Sequence, residues 1–134
     1  MAIVPTDEIS WNIFDPPRET AQLVTEEGFK DISEARWRKR VLPGRNFTII
    51  YPVSRVKGRE MIVPYNAEGY PVTLEDLLTT IYEFYEEPVT PDDITRFGYW
   101  EPYMIRAETV GEDINFAGLE KVIKVKDTYR LVLL

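Results

Sequence analysis

The stretch from Thr73 to Glu87 constrains the fold more than any other part of the chain. Leu74, Leu77, Leu78, Ile81, Phe84 and Tyr85 recur at helical spacing and, with Tyr82, form one apolar arc, while Glu75, Asp76, Thr79, Thr80, Glu83, Glu86 and Glu87 fill the rest. Thr73 with Asp76 three residues on has the form of a capping box, and Pro88 ends the pattern. Such a helix needs a second layer against which to bury its apolar face. A short second helix is predicted directly after it, with Thr90 as N-cap, Pro91 at the first helical position, Asp92 and Asp93 in the first turn and Gly98 as the stop.

Strand signals flank this pair. Trp11–Asp15 alternates apolar with polar residues up to Pro16-Pro17 and reads as a short edge strand. Phe47 to Val53 and Glu60 to Val63 read as a hairpin, and so do Val122 to Val125 and Tyr129 to Leu134 around a turn at Lys126-Asp127. Two groups of strands around a helical pair predict an α+β fold. Its sheet is expected to be mainly antiparallel, with one long amphipathic helix and a short second helix packed on it, in a single domain spanning 1–134. The aromatic side chains of the long helix are expected in the core.

Composition narrows the chemistry. With 134 residues and 44% hydrophobic residues the chain can bury a core without disulfides or metal. It has no cysteine and no histidine, which removes thiol nucleophiles, zinc-thiolate sites, the commonest general base and every Ser-His or Cys-His pair. Ser10, Ser33 and Ser54 lack a nucleophile-elbow context, and Val41-Leu42-Pro43-Gly44-Arg45-Asn46 has a single glycine, too few to cradle a pyrophosphate. Carboxylate pairs remain, Glu86-Glu87 and Asp92-Asp93, but no calcium-loop spacing surrounds them, and Asp92 and Asp93 suit a helix N-terminus without any metal. No catalytic residue, cofactor or metal ligand is therefore assigned. Met1–Glu8 does not read as a signal peptide, and no window has the apolar length of a membrane span. The expectation is a soluble protein without a membrane partner, cytoplasmic or part of a virion, with a nuclear location as the alternative.

The net charge of -7 is unevenly spread. Residues 30 to 59 hold nine basic side chains (Lys30, Arg36, Arg38, Lys39, Arg40, Arg45, Arg55, Lys57, Arg59) against Asp31 and Glu34; residues 68 to 113 hold twelve acidic ones against Arg96 and Arg106. Two patches follow: Glu83, Glu86 and Glu87 at the helix C-terminus, where the macrodipole disfavours anions, and Arg36, Arg38, Lys39, Arg40 and Arg45, the one dense supply of cations. The acidic patch reads either as a solvated face or as one half of a contact, within the chain or across a symmetric interface. Arginines interleaved with Trp37 could instead grip phosphates and stack on bases, although an acidic chain of pI near 4.7 argues against a long polyanion as partner.

Several short segments together resemble a known family. Pro16-Pro17, Val72-Thr73-Leu74-Glu75-Asp76-Leu77-Leu78 leading into Ile81-Tyr82, Pro88-Val89-Thr90, Phe116-Ala117-Gly118-Leu119 and Tyr129-Arg130-Leu131 resemble a family of small domains from basidiomycete fungi with relatives in large DNA viruses of amoebae. The likeness extends from about Trp11 to Leu134 and is similar in particular to abundant virion proteins of the marseillevirus type. It implies a helix opened by the valine-threonine step, final strands after the Phe-x-Gly-Leu motif, and a structural or packaged role without enzymatic activity. Between Ile32 and Pro43 the chain departs from the fungal pattern, carrying arginines where an apolar approach to the sheet is usual. The leading expectation is a non-enzymatic structural or interaction protein forming a homo-oligomer, a dimer, or binding other proteins. A nucleic-acid-associated role through the basic segment is the alternative.

Overall fold

The computed structural model describes residues 9–54, 58–97 and 104–134. Gly98, and Arg55 and Lys57 of the basic segment, lie outside them. The main sheet joins β5 (Phe47–Pro52), β6 (Glu60–Tyr65), β8 (Phe116–Lys121) and β9 (Thr128–Leu133) in the order β6-β5-β9-β8. The β5–β6 and β8–β9 pairs are antiparallel, whereas β5 and β9 run parallel with Thr48 opposite Thr128. Smaller antiparallel sheets are built from β1 (Ile9–Ser10), β2 (Gln22–Thr25) and β3 (Gly28–Asp31), and from β4 (Arg40–Leu42) with β7 (Val72–Thr73). The fold is α+β with largely antiparallel sheets.

Four α-helices are described rather than a pair: α1 (Pro17–Thr20), α2 (Glu34–Trp37), α3 (Leu74–Glu86) and α4 (Pro91–Phe97), with a 3-10 turn over Arg106–Val110. In α3 the Thr73 hydroxyl accepts from the Asp76 N–H and the Asp76 carboxylate from the Thr73 N–H, so two orphan donors are satisfied at once. Leu74, Leu77, Leu78, Ile81, Phe84 and Tyr85 are all buried. Phe84 stacks on Tyr51 of β5 with ring centres 3.8 Å apart, and the Tyr85 hydroxyl donates to the Pro52 carbonyl at 2.8 Å. The helix is thereby fixed along the face of β5 that carries Phe47, Ile49 and Tyr51, and these side chains belong to one contiguous core. The other face of the sheet presents Ile50 and Pro52 beside Glu60, Ile62, Arg130 and Val132.

Two strand expectations are corrected. Over Trp11–Asp15 only Asn12 makes a bridge, to Asn115; the Asn12 side chain accepts from the Phe14 N–H and Trp11 Nε1 donates to the Asp15 carbonyl, so the segment curls into a turn. Pro17 then opens α1 rather than merely ending a strand. The outer arm of the last hairpin is Phe116–Lys121, not Val122 to Val125. Gly118 has φ of +119° at a register shift, which hides the strand alternation, and residues 122–127 form the connecting loop.

Strand β6 is an edge. The Val53 N–H bonds the Arg59 carbonyl, and alternation from that pair leaves Glu60, Ile62 and Pro64 with their backbone groups turned away from β5. Pro64 therefore sits where a missing N–H costs no ladder bond and where it blunts pairing with another strand.

Candidate functional site

The two charged patches fall at opposite ends of α3. Leu74 N–H donates to the Lys39 carbonyl at 2.9 Å and Arg40 stands opposite Thr73 in the β4–β7 ladder, which holds the basic run at the helix start. Glu83, Glu86 and Glu87 lie at the helix end, thirteen helical residues or about 20 Å away. The side-chain charges thus run in the same sense as the helix macrodipole and add to it. Some offset exists at the start, where Arg18 pairs with Glu34 and reaches Glu75 at 3.6 Å.

Within the basic run the residues diverge. Arg36 is half-buried in α2; Arg38 lies 4.0 Å from Glu34 and is otherwise open to solvent. Lys39 and Arg40 are exposed and form no ion pair among the described residues. Arg45 points elsewhere, bonding Asp127 at 2.8 Å and so tying the β4–β5 loop to the β8–β9 loop. Trp37 is buried, with the Arg18 guanidinium 5.2 Å above its ring. The aromatic that was to stack on bases is committed to the core.

The acidic patch also divides. Glu83 and Glu86 have no ion pair among the described residues. The Tyr82 hydroxyl, on the same helix, is pushed above its ordinary value first by desolvation and then by Glu86, Glu19 and Asp15. Glu87 is different: its carboxylate takes a 2.8 Å bond from Arg106 Nη1, while Arg106 Nε bonds Asp93 at 3.3 Å. Arg106 is 8% exposed, Asp93 2%, and the guanidinium lies 4.6 Å over the Phe84 ring.

The cation that offsets the α3 C-terminus thus comes from Arg106, not from 36 to 45. The chain achieves this by pairing 87–89 with 104–106: Arg106 N–H donates to the Glu87 carbonyl, Val89 N–H to the Met104 carbonyl, and Pro88 bridges Ile105. Sequence reasoning counted Arg106 only as a minority charge in an acidic segment. The available signal was that it is the one cation between Arg96 and Lys121.

The carboxylate pairs do not converge as a metal site. Asp93 caps α4, accepting from the Thr90 N–H and donating its own N–H to the Thr90 hydroxyl, and then faces Arg106. Among the described residues no three carboxylates gather where a cation could sit. Both buried phenols near this end, Tyr51 and Tyr85, are held protonated far above their ordinary range, chiefly by burial. No described helix is long and apolar enough to cross a membrane. Compared with models of protein families, with curated proteins and with solved structures, the chain matches none.

Proposed function

We propose that this chain is a non-enzymatic structural or interaction protein that self-associates as a homodimer and serves as a component of a larger particle, in the cytoplasm or in a virion. The observation that carries the reading is the sorting of charge to the two ends of α3. Lys39 and Arg40 at one end and Glu83 and Glu86 at the other have no ion pair among the described residues and stand about 20 Å apart, so they do not compensate one another within one copy. Two copies related by a two-fold axis across α3 place each basic end against the partner's acidic end, an isologous contact in which every charge pair occurs twice. The long amphipathic helix, with α4 tied to its end through Arg106, is then the axis of the dimer. The same kind of role is what the resemblance of the sequence to virion proteins of amoebal viruses implies.

The test is the molar mass by light scattering across a salt series. A dimer at low salt that dissociates as ionic strength rises past about 150 mM, where screening shortens to about 8 Å, supports the reading. A monomer at every salt concentration refutes it, and so does a dimer untouched by Glu83→Lys with Glu86→Lys. The exposure of Lys39 and Arg40 also favours a second reading, a nucleic-acid-associated or nuclear accessory protein working through Arg36, Arg38, Lys39, Arg40 and Arg45. Retention on DNA or RNA at about 150 mM salt that vanishes when these five become alanine distinguishes it.

A further inference from the structure

The connection between β8 and β9 is built as a knob. Ile123 is 93% exposed and Val125 52%, a solvent contact that folding does nothing to relieve. Around them Lys121, Lys124 and Lys126 are exposed and have no ion pair among the described residues. The base of the loop, by contrast, is fixed. Val122 N–H bonds the Thr128 carbonyl, Thr48 N–H bonds the Asp127 carbonyl, and Arg45 clamps the Asp127 carboxylate. Aliphatic tips interleaved with lysines are thus held out from the basic end of the molecule on a rigid stem.

A groove of about 790 Å³ lies on the face of the main sheet opposite α3 and runs toward its other end. Its lining includes the side chains of Val132 and Leu134 together with Asp113 and Glu120. Glu60 in the same groove is engaged by Arg130 at 2.7 Å, but Asp113 and Glu120 form no ion pair among the described residues. The groove therefore offers what the knob lacks: apolar surface for Ile123 and Val125, and in Asp113 and Glu120 two carboxylates for the lysines, set beside Arg59 and the Glu60-bound Arg130.

We propose that the 122–127 loop of one copy, with Lys121 at its base, docks in the 790 Å³ groove of another. This rests on the reading that the chain self-associates, and extends it from a dimer to an assembly. Knob and groove are different surfaces of the same chain, so the contact is heterologous: it propagates into a ring or a filament instead of closing on itself. Strand addition at β6 is the competing route to assembly, and Pro64 obstructs it by removing an outward donor.

Sedimentation velocity over a concentration series tests this. Wild type is expected to form species larger than a dimer, and Ile123→Asp to stop at the dimer. Asp113→Lys with Glu120→Lys is also expected to stop there, and a mixture of the knob variant with the groove variant to regain a larger species, because one intact knob then meets one intact groove. All these positions are exposed, so circular dichroism should be unchanged in each variant. Wild type that never exceeds a dimer overturns the inference and leaves the dimer reading standing, as does growth that persists in Ile123→Asp. Growth of the wild type with a monomeric Ile123→Asp supports knob and groove and overturns the α3 dimer. A wild-type monomer at all concentrations overturns both.

Discussion

Replacing Arg106 by methionine tests the junction that closes the end of α3. The substitution keeps the length and most of the apolar volume and deletes the charge. Three contacts go with it. The pair with Glu87, whose side chain is 58% exposed, contributes only about 0–1 kcal/mol. The guanidinium over Phe84 contributes about 1–2 kcal/mol at a desolvated site.

Asp93 dominates, since its side chain is 4% exposed and loses its counter-ion; breaking a buried pair from one side costs about 3–5 kcal/mol. Two things lower the sum: the Thr90 N–H still donates to Asp93, and methionine regains apolar contact on Phe84. The net loss is about 3–4 kcal/mol. With a urea dependence of about 2 kcal/mol per molar, the unfolding midpoint falls by roughly 1.5–2 M. Asp93→Asn added to Arg106→Met should restore about 1–2 kcal/mol, because the stranded charge is gone. A midpoint shift equivalent to less than about 1 kcal/mol, or a double-mutant cycle that is additive within about 0.5 kcal/mol, would refute the assignment of this trio as a coupled unit.

Two further outcomes follow from single contacts. A methyl group at Gly44 would stand 2.7 Å from the Gly69 carbonyl oxygen and 2.8 Å from the Tyr70 carbonyl carbon, both backbone, so Gly44→Ala must push two loops apart. A cost of about 1–3 kcal/mol is expected, read as a fall in Tm of several degrees; an unchanged Tm would show that the loops yield freely. Tyr51 and Tyr85 retain their protons in the native state well above the pH of about 10 at which an unfolded tyrosine ionises. Their contribution is complete below that pH and is lost as pH rises through it, because the unfolded chain then sheds protons the native one keeps. Stability should therefore drop on the alkaline side, more gently in Tyr51→Phe, and an identical slope in that variant would contradict the account.

How far the sequence could be read depended on whether the signal was local. The α3 pattern and its capping box arise from residues three and four apart, and of the apolar positions named from the spacing all are buried except Tyr82, which is half-buried at the edge of the core. The β5–β6 hairpin was legible for the same reason. The β2–β3 hairpin was missed because β3 is exposed along its whole length and its two-residue loop, Glu26-Glu27, has no turn-forming residue of its own; Gly28 at φ +110° carries the bend. Gly118 concealed β8 by breaking the alternation.

At the candidate site, the sequence located both charged patches but not their surroundings. Trp37 and Arg45 were grouped with the basic run because they are neighbours in sequence, while burial and Asp127 separate them in space. Arg106 found Glu87 only through the pairing of 87–89 with 104–106. Val122 to Val125, in the knob, reads as strand because Val-Ile-Lys-Val has strand composition whether or not a neighbour is there to pair with it.

The parallel pairing of β5 with β9 has a consequence for how the chain reaches its fold. Thr48, Ile49 and Ile50 must meet Thr128, Tyr129 and Arg130, with all of β6 through β8 lying between them in the chain. Until that pairing forms, the inner edge of β5 carries unsatisfied backbone groups, and the hairpins on either side of it have only one strand partner each. The centre of the sheet is therefore completed by a contact between residues far apart in the chain. That predicts slow, all-or-none folding, and a chain emerging from a ribosome exposes a sticky β5 edge until β9 arrives.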